Sequence, residues 1–132
     1  MDNKKIKIFI FPVVASGHVN PVCGIAYELC KMPDVECIIY GVVEYKDIME
    51  RTGAQFRSYA HPHITGLAAP SMTSDNISKF VRNAFDTNIE AAYVIVPQLL
   101  EDITRDKPDL IFFDSNFQIG RYVATAVRSR GN

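Results

Sequence analysis

The chain has 132 residues, a formal net charge of -1, and 22% charged against 48% hydrophobic residues. That length holds one domain or part of one, with enough chain to bury a core. The charge balance argues against nucleic acid or an anionic membrane surface as a partner, and no apolar stretch nears the ~18 residues needed to span a bilayer.

Lys4-Lys5-Ile6-Lys7 ahead of Ile8-Phe9-Ile10-Phe11 imitates a short signal peptide. The alternation of Lys5 and Lys7 with apolar residues, broken by Pro12, instead describes a strand entering a sheet in a cytoplasmic chain. Strand one is expected over about Lys7 to Val13. Helix one is expected to start at Asn20 as N-cap and Pro21 as first helical residue, where the missing N–H costs nothing. Its inward stripe reads Val22, Ile25, Ala26 and Leu29, and Pro33 and Asp34 end it. Strand two covers about Glu36 to Val42. Helix two, about Glu44 to Thr52, stops at Gly53, a C-terminal residue suited to the left-handed region. A short third strand spans Gln55 to Tyr59.

From Ala60 to Ser74 the pattern dissolves into a loop of about 15 residues, a length that is usually functional or mobile. Helical periodicity returns at Ile77, Phe80, Val81, Ala84 and Phe85, and continues through Ile89, Ala92, Tyr93 and Val96 to Leu99, Leu100 and Ile103. Phe80, Phe85, Tyr93 and their helical neighbours read as core, with the alternative that some face the crevice. Pro97 is expected to kink this helix or split it in two. Pro108 precedes strand four, Asp109 to Asp114, and Gln118 to Arg128 forms the last helix.

Apolar runs alternating with amphipathic segments define an α/β fold, a Rossmann-like doubly wound parallel sheet with right-handed crossovers. No strand follows the last helix. The expectation is an incomplete sheet, residues 1–132 being part of a larger domain, with an unpaired edge prone to aggregation. Cys23, Cys30 and Cys37 are spaced by seven without a C-x-x-C pair. They suit neither a zinc site nor a disulfide framework and fit a reducing compartment.

The chemistry-bearing residues sit at strand ends. Ser16-Gly17-His18-Val19-Asn20-Pro21 places His18 between strand one and helix one, and strand four ends in Asp114. In a doubly wound sheet such turns open onto the ligand crevice, and strands one and four are neighbours at its switch point. A His–Asp dyad is the candidate: the imidazole accepts a proton while the carboxylate holds its other nitrogen. A loop histidine and a capping aspartate is the plainer alternative. Gly17 permits a tight turn, yet with Gly24 it makes no dinucleotide fingerprint. Cys23 reads as a buried thiol rather than a nucleophile. His61 and His63 are loop histidines, and Glu44, Asp47 and Glu50 form a solvated face with Lys46 and Arg51. A non-catalytic flavodoxin-like or receiver-type module stays open. Against it, Pro12-Val13-Val14-Ala15-Ser16 has no acidic cluster, and Ala15-Ser16-Gly17 is thin for a phosphate loop. No G-x-S-x-G elbow marks a hydrolase.

Ile8-Phe9-Ile10-Phe11-Pro12 with Gly17-His18-Val19-Asn20-Pro21 resembles the opening of UDP-sugar-dependent glycosyltransferases of the GT-B fold, in particular the macrolide-type branch. Gly53-Ala54-Gln55-Phe56 with Tyr59, then Val96-Pro97-Gln98-Leu99 leading to Lys107-Pro108-Asp109-Leu110-Ile111-Phe112-Phe113-Asp114, continue the likeness in order. The resemblance implies an N-terminal, acceptor-side portion of an inverting hexosyltransferase. It implies His18 as general base and Asp114 as its orienting partner. Ser16, Gly17, Ser115 and Asn116 are implied at the pocket rim, and residues 60–74 beside a small lipophilic acceptor. The donor is implied to be a UDP-sugar substrate, with no metal and no cofactor. The donor-binding domain is not matched by anything in these residues, and the chain alone is expected to be inactive.

Overall fold

The computed structural model describes residues 4–61 and 74–131. Its elements are β1 (Ile6–Phe11), α1 (Ser16–Cys30), β2 (Val35–Gly41), a 3-10 turn (Val43–Tyr45), α2 (Lys46–Glu50), β3 (Gln55–Ser58), α3 (Ser74–Asp106), β4 (Leu110–Phe113) and α4 (Gln118–Arg130). The strands form one parallel sheet in the order β3-β2-β1-β4. This is an α/β fold with the start of a doubly wound topology, as the alternating pattern requires.

Side chains alternate along each strand, so each strand feeds two cores. Ile8, Ile10, Cys37 and Ile39 point to the α1 and α2 face, with Val19, Val22, Cys23, Ala26 and Met49. Phe9, Phe11, Ile38 and Tyr40 point to the other face, against Ala91, Ile95, Leu99 and Ile103 of α3 and Ile119 and Val123 of α4. The reversal of winding falls between β1 and β4.

Three expectations are corrected. Helix α1 begins at Ser16, not Asn20: the N–H groups of His18 and Val19 both donate to the Ala15 carbonyl, at 2.9 and 2.8 Å. Pro21 is therefore inside the helix, where its ring faces the carbonyl of Gly17, in the first turn, and Asn20 is an exposed helical residue. The earlier start rotates the buried stripe to Val19, Val22, Cys23 and Ala26, leaving Ile25 43% exposed. Second, of the kink or split expected at Pro97 the split does not occur: α3 runs from Ser74 to Asp106 as one helix, and Pro97 is exposed on it. Third, Tyr93 is not core but 80% exposed, because Ala91, Ile95, Leu99 and Ile103 set the buried face of α3. The side chains of Phe80 and Phe85, and residues 62–73 of the expected loop with His63 among them, lie outside the described residues. Gly53 has φ +94°, the left-handed conformation its position after α2 demands.

A polar cluster ties the end of α3 to the sheet. The buried Tyr40 hydroxyl donates to Asp102 at 2.6 Å, and Arg57 of β3 donates to Tyr40 at 3.3 Å and to Asp106 at 2.5 Å. Arg105 reaches Asp102 at 2.9 Å and Asp106 at 3.1 Å. Hydrogen bonds from Arg105 and then Arg57 hold the Asp106 carboxyl down at about 2. Burial, and next the bond to Asp102, push the Tyr40 phenol upward. Burial pushes the Cys37 thiol up to about 12, with Cys30 beside it adding to the effect, and no disulfide joins the three cysteines.

Among the described residues no helix is long and apolar enough to cross a membrane. Two stability tests follow from the packing. A Cβ on Gly120 would meet Phe117 Cδ1 at 2.8 Å and Phe113 Cβ at 3.0 Å, whereas one on Gly24, exposed in mid-helix, meets nothing within 4 Å. Urea melts are expected to show Gly120→Ala losing about 1–3 kcal/mol and Gly24→Ala gaining about 0.4–1 kcal/mol. A depressed carboxyl stabilises the fold above its ordinary range, and that contribution goes as pH falls through its folded value. Asp106→Asn is thus expected to be about 1 kcal/mol less stable than the native chain at neutral pH, with the gap closing between about pH 4 and about 2.

Candidate active site

Parallel registry aligns Phe11 with Phe113 at the carboxyl ends of β1 and β4. One residue later the Asp114 N–H donates to the Phe11 carbonyl at 3.0 Å, so the ladder carries Asp114 alongside the chain leaving β1. Pro12 ends β1, and α1 then starts early enough to put His18 in its first turn. The two side chains meet: His18 Nδ1 is 2.6 Å from Asp114 Oδ2. The other carboxylate oxygen, Oδ1, accepts the Asn116 N–H at 2.8 Å, and the Phe117 N–H closes the turn on the Asp114 carbonyl at 2.9 Å.

The exposures are unequal: 36% for the His18 side chain and 13% for that of Asp114. The carboxylate is therefore mostly covered, while the ring has an open side. A carboxylate only accepts, so the neutral ring donates Nδ1–H to it, leaving the Nε2 lone pair to take a proton.

The Ser16 hydroxyl lies 3.1 Å from the Tyr45 phenol. Gly17 is helical rather than in a tight turn, and space beside it is open. Ser115 and Asn116 are exposed in the turn after β4. Asn116 also borders an open, largely apolar groove of about 860 Å³ between α3 and α4, lined by Ile89, Tyr93 and Val96 on one side and Ile119 and Tyr122 on the other. Cys23 is buried in the α1 face and takes no part, and burial pushes its thiol upward. His61 is half-buried where β3 has ended. Among the described residues no group of three or more His, Cys, Asp or Glu is arranged to hold a metal.

Sequence reasoning missed Tyr45, whose segment reads as a solvated helix. It also gave no role to Gln98, which clamps the exit of β3 by donating to the Ser58 carbonyl at 2.8 Å and accepting the Ala60 N–H at 2.6 Å. Neither has a local signal: each acts on a segment far off in the chain.

A parallel sheet of order β3-β2-β1-β4 carries a His–Asp pair at its switch point, and the proteins this chain is similar to are glycosyltransferases. No family model matches the chain. It is 29% identical over 131 aligned residues to the NDP-glycosyltransferase YjiC of Bacillus licheniformis, covering 94% of this chain and 30% of that protein. Its fold matches CalG4, the calicheamicin glycosyltransferase, with a TM-score of 0.69 and 19% identity over 94% of this chain and 30% of that one. It also matches the glycotransferase of kitacinnamycin, with a TM-score of 0.67 and 18% identity over 95% of this chain and 29% of that one. A third match is SsfS6, a glycosyltransferase of Streptomyces sp. SF2575, with a TM-score of 0.65 and 12% identity over 93% and 37% of the two chains. The chain spans about 30% of the length of the curated relative.

The pair makes a spectroscopic forecast. In 15N-labelled protein at about pH 9, above the ordinary imidazole range, the His18 ring is expected to carry its proton on Nδ1. Asp114→Ala is expected to return it to the Nε2–H form that free histidine favours. Ring 15N shifts that are the same in both proteins would rule the hydrogen bond out.

Proposed function

We propose that residues 1–132 are the acceptor-side part of the N-terminal, Rossmann-like domain of an inverting glycosyltransferase. Its donor-binding domain lies outside this sequence. The observation that carries the reading is the 2.6 Å contact between His18 Nδ1 and Asp114 Oδ2 at the strand ends. The likeness to an NDP-glycosyltransferase over 94% of the chain supports it.

His18 Nε2 takes the proton of an acceptor hydroxyl as the freed oxygen attacks the anomeric carbon of a nucleotide sugar, a UDP-hexose. The bond from that carbon to the diphosphate breaks with its electron pair, and the nucleoside diphosphate departs. A single displacement inverts the anomeric centre. Asp114 fixes the ring by accepting Nδ1–H and balances the imidazolium that forms. Ser16, Gly17, Ser115 and Asn116 border the space where the acceptor sits. That acceptor is small and lipophilic, in keeping with the apolar groove that begins at Asn116. The reaction needs no metal and no cofactor beyond the donor, and the enzyme is cytoplasmic.

The test is a chimera joining this chain to the donor-side part of the Bacillus licheniformis relative. It is expected to move a hexose from a UDP-sugar to a small hydroxylated aromatic, with His18→Ala lowering kcat/KM about 10²–10⁴-fold. The isolated chain is expected to transfer none. A His18→Ala chimera as active as its parent would refute the assignment of the base.

A further inference from the structure

We propose that Tyr59 is a positioning residue for the His18–Asp114 pair: one buried side chain bears on the segment that leads from β1 into α1, whose first turn carries His18, and on the turn that carries Asp114. The inference rests on the function proposed above.

Tyr59 follows β3 directly, and its N–H donates to the Gly41 carbonyl at 2.8 Å, so its backbone continues the sheet. Its side chain crosses beneath the strand ends and is only 2% exposed. The hydroxyl donates to the Pro12 carbonyl at 3.1 Å. Pro12 is the first residue past β1 and opens the turn that leads into His18. The ring lies 5.3 Å from that of Phe117 at 46°, and 5.7 Å from that of Tyr40. Phe117 closes the other turn through its N–H to the Asp114 carbonyl. The hydroxyl thus holds the segment leading into α1 and His18, and the ring backs the Asp114 turn.

A phenylalanine would fill nearly the same volume. A buried hydroxyl is tolerated only with a partner, and here the partner is the Pro12 carbonyl on the way into α1. Burial, followed by the charges of Tyr40 and Asp114, pushes the Tyr59 phenol far up, so it remains a donor at any working pH. A hydrogen-bonded base misplaced by about 1 Å loses much of its value. A single strut bearing on both segments limits that error better than two separate supports.

The readout is the ratio of Nδ1–H to Nε2–H tautomers of His18 in the 15N-labelled 132-residue chain at about pH 9. Tyr59→Phe is expected to lower that ratio by up to about fivefold, the worth of one net hydrogen bond, with the circular dichroism of the native chain retained. Ile103→Val, in the same apolar cluster near the end of α3, is expected to destabilise the fold without moving the ratio. If Tyr59→Phe does not fold, Phe117→Leu takes its place with the same expected fall. A ratio unchanged in Tyr59→Phe, or lowered equally by Ile103→Val, overturns the role given to Tyr59 and leaves the pair standing. A native ratio equal to that of Asp114→Ala overturns the pair, and the strut with it.

Discussion

The pairing of β1 with β4, Ile8 beside Leu110 through Phe11 beside Phe113, decides where the polar residues of the site come to lie. These strands are joined through two others and the long helix α3. Their adjacency is a property of winding, since the connection after β3 crosses to the opposite face of the sheet. A slip of one residue would turn every side chain of β4 to the wrong face and carry Asp114 away from the ring. The two-sided burial of β1, with Phe9 and Phe11 on one face and Ile8 and Ile10 on the other, holds the register.

The buried hydroxyls of Tyr40 and Tyr59 join elements that apolar contact alone would leave free to slide. Tyr40 sits in the aromatic row Phe9, Phe11, Tyr40, Tyr59 and Phe117, with centroids 5.2 to 6.2 Å apart along its contacts. Its hydroxyl leaves that row to reach Asp102 of α3, and Arg57 and Arg105 complete the charges there. Tyr59 does the equivalent at the carboxyl ends of the strands through Pro12. The same aromatic layer thus anchors α3 at one end and the turns of the site at the other. Tyr–carboxylate and Tyr–carbonyl bonds are directional, so they set distances that hydrophobic packing leaves loose.

Much of this was legible in the residues. Alternating apolar runs and amphipathic stretches identify the α/β class, four strands and their order of appearance, and Gly53 marks the end of α2 by its need for positive φ. Local patterns were less reliable where two signals competed. Asn20-Pro21 has the form of a helix start, yet the chain begins α1 four residues earlier because Val19 is required in the core. On α3 the apolar set is wide enough to fit more than one face, and only packing against the sheet selects Ala91, Ile95 and Leu99 over Ile89 and Tyr93.

The sequence by itself determined the four strands and their order along the chain, the class of fold, and the residue types able to do acid–base chemistry at strand ends. These depend on periodicity and turn preference, which are local. Tertiary structure alone decided that His18 and Asp114, 96 positions apart, stand within 2.6 Å, and that Tyr45, Tyr59 and Gln98 bear on the surrounding turns. Those contacts arise from strand order and from which face of each helix wins the core, and both are set by the whole sheet at once.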